Sequence, residues 1–135
     1  MIRRASVISR TIVVWVLLAV IGVSNGILRG AVLVPRLGDQ RAHVVSTLVL
    51  CALIIVVALF LIEWIGPRTV LEASIVGLMW AVLTVAFEFS AGHFVFGNSW
   101  EKLLADYSLW HGRIWVLVPI ALYLAPRLAF RLRVM

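Results

Sequence analysis

Cysteine occurs once in the 135 residues, at Cys51. A single thiol excludes a disulfide framework and a thiolate metal cluster, and its place inside an apolar run marks it as a packing residue. Charge is sparse as well: Asp, Glu, Lys and Arg make up 13% of the chain, with six acids against twelve bases. The chain has no glycine-rich phosphate loop, nucleophile elbow, paired catalytic carboxylates, HExxH, CxxC or histidine pair four residues apart. His43, His93 and His111 alone raise the idea of a metal or haem, and nothing in their spacing supports it. The sequence therefore predicts a protein that is not an enzyme and holds no metal or cofactor. Low-complexity segments and internal repeats are missing too.

What the chain does have is apolar surface. With 64% hydrophobic residues and a mean hydropathy of +1.11, a chain this short has too little interior to hide its side chains from water. The composition is that of a membrane protein. Four apolar segments, at about residues 11–34, 42–65, 69–91 and 109–128, meet or approach the ~20 residues that a helix needs to cross ~30 Å of hydrocarbon. The expected fold is all-α: one domain, an antiparallel four-helix transmembrane bundle. The N-terminal "MIRRASVISR" and the run after it exceed a signal-peptide h-region and lack a small-residue cleavage site, so they read as a retained first span.

The connections are legible. Gly66 and Pro67 end the second span, and Thr69 with Glu72 forms a capping box for the third. So short a turn predicts that spans two and three are neighbours. "VPRLGDQRAH" makes a polar turn on the opposite side, with Pro35 and Gly38 as breakers. Between spans three and four, residues 98–110 place Trp100, Leu103, Leu104, Tyr107 and Trp110 at helical spacing opposite Glu101, Lys102 and Asp106. An amphipathic helix lying in the membrane interface is expected there.

With Arg29 set aside as lying inside a span, Arg3, Arg4, Arg10, Arg68, Arg127, Arg131 and Arg133 fall towards one side, and Arg36, Arg41, Lys102 and Arg113 towards the other. Seven against four puts both termini in the cytoplasm by the positive-inside rule. The net charge of +6 sits at span ends, where anionic lipid headgroups are the natural partners and nucleic acid is not.

Two charges fall where hydrocarbon should still be. Glu88 lies about 28 Å up the third helix from Thr69, and Arg29 about 27 Å up the first from Thr11, each with apolar residues beyond it. An ionisable group at such a depth is a functional candidate by default. Gly22, Gly26 and Gly30 form a small-residue seam suited to close helix contact, either within the chain or with a partner or second copy. Arg29 projects about 20° from Gly22, and Glu88 about 20° from Gly77 of a second seam, Ala73, Gly77 and Ala81. A polar cluster of Asn25, Arg29 and Glu88 is expected at a contact between the first and third helices. Secondary candidates are His93, His111 and Arg113.

"FEFSAGHFVFGNSWEKLLADYSLWHGRIW", residues 87–115, resembles the hallmark segment of a family of small bacterial four-span proteins with no assigned activity. The resemblance implies a bacterial inner-membrane setting and draws attention to Glu88, His93, Trp100, Asp106 and Arg113. The expected function is a non-enzymatic accessory or scaffold protein of that membrane. The alternative is a small transporter or channel that uses Glu88, with Arg29 beside it, as a proton or cation site.

Overall fold

A computed structural model describes residues 2–95, 97–101 and 116–134, and all of its regular elements are helical. Helix α1 spans Ile2–Leu28 and passes through a π-turn, Arg29–Leu33, into the short α2, Val34–Leu37. Helix α3 spans Asp39–Ile65, and α4 spans Val70–Ser90 and ends in a second π-turn, Ala91–Val95. Helix α5 spans Leu117–Arg133.

Among the described residues, three stretches are long and apolar enough to cross a membrane: Ser6–Leu37, Asp39–Ile65 and Val70–Val95, of 32, 27 and 26 residues. Helix α5, with 17 residues, reaches about 25 Å at 1.5 Å per residue, short of a full crossing. It runs on past the expected end at residue 128, because arginine is a good helix former and Arg131 and Arg133 in its last turn complement the helix dipole. Residues 109–115 of the expected fourth span lie outside the described residues. So does most of the expected interfacial helix, of which the structure describes only Asn98, Ser99 and a helical start at Trp100 and Glu101.

Pro35 does not end the first helix. The ladder loosens ahead of it, with the Val34 N–H reaching back to the Arg29 carbonyl, and this wider turn accommodates a residue that lacks an N–H and whose ring would crowd a regular turn. The chain leaves the helix at Gly38, which has φ +84°. At the far end of α3, Gly66 adopts a left-handed conformation, and its N–H closes on the Ile62 carbonyl at 3.0 Å. Thr69 then caps α4, its hydroxyl accepting from the Glu72 N–H at 3.1 Å, while Glu72 Oε1 accepts from the Arg68 N–H at 3.4 Å. The reciprocal half of the capping box is thus shifted by one residue. Thr69→Ala is expected to cost about 1 kcal/mol in an unfolding titration.

The short α3–α4 turn does not make those two helices neighbours along their length. Helix α5 lies between them and packs extensively on both, while α1 packs on the other flanks of α3 and α4. The order around the assembly is α1, α3, α5, α4. Buried alanines explain why α5 fits: Ala58 of α3, Ala73 of α4 and Ala125 and Ala129 of α5 are all covered. At Gly77 a Cβ would collide with the Tyr123 carbonyl group and come within 3.0 Å of Tyr123 Cα. The second small-residue seam is therefore a close contact of α4 with α5, rather than with α1 as expected.

Polar links fix the other faces. Arg10 at the start of α1 donates to the Trp64 carbonyl at 2.8 Å and lies 5.2 Å from its ring, near the end of α3. Arg133 of α5 stands 3.6 Å from Glu63. Trp80 Nε1 donates to the Thr11 carbonyl, and Trp15 Nε1 to Thr84 Oγ1, both at 3.0 Å, so α1 and α4 ascend side by side. Phe60, Leu71 and Ile27 are among many large apolar side chains facing outward, where lipid would cover them.

Candidate functional site

Beyond the Trp15–Thr84 bond a cavity of about 450 Å³ opens, with walls from α1, α3, α4 and α5. Its floor is apolar, including Leu18, Leu50, Ile54 and Leu122. Arg29 and Glu88 both line it, so the two charges singled out by depth and register are brought to one cavity. A sealed apolar void of this size would cost on the order of 10 kcal/mol at about 24 cal/mol per Å³, as much as the whole stability of a domain. This one is open on one side, between Val23 and Ile27 of α1 and Phe87 of α4, all of them exposed. It is therefore filled by whatever lies beside the helices.

The glycines of α1 form part of this wall. Gly22 and Gly26 line the cavity. Among the described residues, a Cβ added at Gly22 or Gly30 would meet nothing within 4 Å, and one at Gly26 only Arg29 Nη2 at 3.7 Å. Among the described residues, no other helix packs against this seam.

Arg29 also reaches a group that helical register did not suggest. Its Nη1 lies 3.5 Å from Nδ1 of His43, which is 1% exposed. A guanidinium can only donate, so this geometry gives His43 Nδ1 the accepting role. Asn25 turns to α3, donating from Nδ2 to the Ser46 carbonyl at 3.1 Å, and Ser46 Oγ donates to the His43 carbonyl at 3.2 Å. Asn25 Oδ1 and Thr47 Oγ1 are buried without a hydrogen-bond partner among the described residues. Asn25 and Arg29 thus form part of a polar strip between α1 and α3, and Arg29 connects that strip to the cavity holding Glu88. Changing Arg29 and Glu88 to Gln, singly and together, is expected to show coupling on the order of 1 kcal/mol in a double-mutant cycle of detergent unfolding.

His93 serves the turn after α4. Its ring stacks on Trp100 with centroids 3.9 Å apart, and Nδ1 lies 2.8 Å from the Asn98 carbonyl, which accepts the ring proton. The Asn98 N–H in turn closes on the Gly92 carbonyl at 2.9 Å, and Gly97 has φ +70°. Phe94 meets His93 edge-on at 4.9 Å. His111 and Arg113 lie outside the described residues, as do Lys102 and Asp106. Among the described residues no group of three or more His, Cys, Asp or Glu is placed to hold a metal ion.

Sequence reasoning missed His43 as a neighbour of Arg29. A signal was present: His43, Thr47, Leu50 and Ile54 recur at helical spacing and are all buried on one face of α3. No protein family, curated protein or solved structure matches the chain.

Proposed function

We propose that the chain is a non-enzymatic accessory or scaffold protein of the bacterial inner membrane, which holds a hydrophobic partner against the glycine-bearing face of α1. The observation that carries this reading is the contrast between the two small-residue seams. The space beside Gly77 is filled by the backbone of α5, while Gly22 and Gly30 meet no described residue within 4 Å of an added Cβ, and Gly22 and Gly26 line a cavity. Glycine on a helix face lets another backbone or a ligand approach closely, and in lipid that contact replaces the hydrophobic drive that water would supply.

In this proposal α1, α3, α4 and α5 form an antiparallel four-span bundle, with α5 completed by residues before Leu117 and with an interfacial helix preceding it. Both termini face the cytoplasm. Arg10, Arg68 and Arg133 gather at the end where α3 passes into α4, which suits anionic headgroups. Activity of a periplasmic reporter fused at the C-terminus would overturn the orientation. The function is tested by purifying the protein in mild detergent and identifying what accompanies it. A stoichiometric companion that is lost in Gly22→Leu is expected; a companion indifferent to that change, or none, refutes the reading.

A second reading, a small transporter or channel, draws on Glu88 and Arg29 lining one cavity. Loss of a proton-dependent flux in reconstituted vesicles on Glu88→Gln, with folding intact, would establish it in place of the first.

A further inference from the structure

We infer that the outward face of α5 is a site for one anionic phospholipid, its phosphate clamped by Arg127 and Arg131 and a tail laid along Ile120, Leu124 and Leu128. The inference goes beyond the accessory role proposed for α1 and shares with it only the placing of α5 in the membrane.

Helical register sets out the stripe. At 100° per residue Arg127 projects about 20° from Ile120, and Arg131 about 20° from Leu124, with Leu128 beside them. This face looks away from the protein: Leu122, Ala125, Pro126 and Ala129 are buried on the other, while Ile120, Leu124 and Leu128 are 47%, 48% and 43% exposed. From Ile120 to Arg131 the rise is about 16 Å, close to the ~15 Å of one leaflet, half of a ~30 Å core. An apolar strip one tail long thus ends in two cations.

Charge decides what lies there. Arg127, half-buried, and Arg131, exposed, stand one turn apart on the same helix, and like charges at that spacing repel unless an anion comes between them. The protein supplies none among the described residues. Arg10 is taken up by the carbonyl and ring of Trp64, and Arg133 by Glu63, whereas neither Arg127 nor Arg131 has an acceptor or an ion-pair partner among the described residues.

A phosphate answers that need. Its oxygens match the fork of a guanidinium, and one phosphate between two guanidinia accepts charge-assisted bonds from both. A lipid of net negative charge is preferred to a zwitterionic one, whose ammonium would be brought up to two cations.

The test uses the full chain in nanodiscs of equal parts phosphatidylglycerol and phosphatidylethanolamine, with retained lipid counted by native mass spectrometry after transfer to mild detergent. The expected result is one phosphatidylglycerol per chain, favoured about tenfold over phosphatidylethanolamine, as two partly screened ion pairs would give. Arg131→Gln, at an exposed position, and Arg127→Gln should each remove most of that preference. Arg68→Gln takes the same charge from the same end of the molecule, again at an exposed position, and should leave the preference as it is. Equal losses from all three changes would show a diffuse surface potential in place of a site and overturn the inference, as would equal retention of the two lipids by the unaltered chain. Gly22→Leu, which tests the accessory role, should leave this lipid bound, so the two readings fail separately.

Discussion

Replacing Gly77 with alanine is expected to lower the unfolding free energy by about 1–3 kcal/mol in mixed-micelle titrations, the usual range for overpacking a filled interior. A single methyl group can do this because its place is taken. The atoms it would strike are the carbonyl and Cα of Tyr123, backbone that moves only if α5 moves. Intrinsic propensity acts the other way, since alanine is favoured over glycine in a helix by about 1 kcal/mol. The measured loss is what survives that gain. Gly22→Ala is the control: the same propensity gain applies, and no atom of the described residues lies within 4 Å of the new Cβ. The two substitutions should therefore differ in sign. Gly77→Val should go further and abolish folded yield, because α5 is wedged between α3 and α4 and displacing it loosens both contacts. Equal effects at the two glycines would show that α4 and α5 do not meet as described.

That contrast also marks how far the sequence could be read. Apolar length placed the three long helices, and Gly66, Thr69 and Glu72 placed the turn between α3 and α4, because those signals are local. Which helix fills which seam is not local. Ala73, Gly77 and Ala81 announce a close contact and say nothing of whether α1 or α5 provides it, since one chain's periodicity fixes a face and not a neighbour. Short connection was a misleading guide for the same reason: Gly66 to Thr69 joins the ends of α3 and α4, while α5 enters between their shafts. At the site, depth and register singled out Arg29 and Glu88, and both line the cavity. They did not foretell the cavity itself, which arises where α1 and α4 part above the Trp15–Thr84 bond, nor the contact of Arg29 with His43, which depends on α3. Pro35 marks a stop for a regular helix, and a π-turn lets the helix pass it.

Trp80→Ala is expected to have the largest effect of any single truncation among the described residues, about 3–5 kcal/mol. The side chain is 0% exposed, in contact with the core between α1, α4 and α5, and its Nε1 donates to the Thr11 carbonyl of α1. Truncation would leave an internal void that neither water nor lipid can reach, so the packing lost is not replaced. Phe60→Ala should cost far less despite removing a large ring, because Phe60 is 73% exposed and in a bilayer its ring is covered by lipid whether the helices are packed or apart. Trp80→Phe separates the two parts of the effect: it keeps most of the volume and loses the hydrogen bond, for about 1 kcal/mol. The consequence extends to the cavity. Among the described residues, Trp80 and Trp15 are the two indoles that tie α1 to α4 below its floor, and with Trp80 gone the helices are held on that side by the Trp15–Thr84 bond and weaker apolar contacts. Equal cost at Trp80 and Phe60 would mean that the core around Trp80 is not closed.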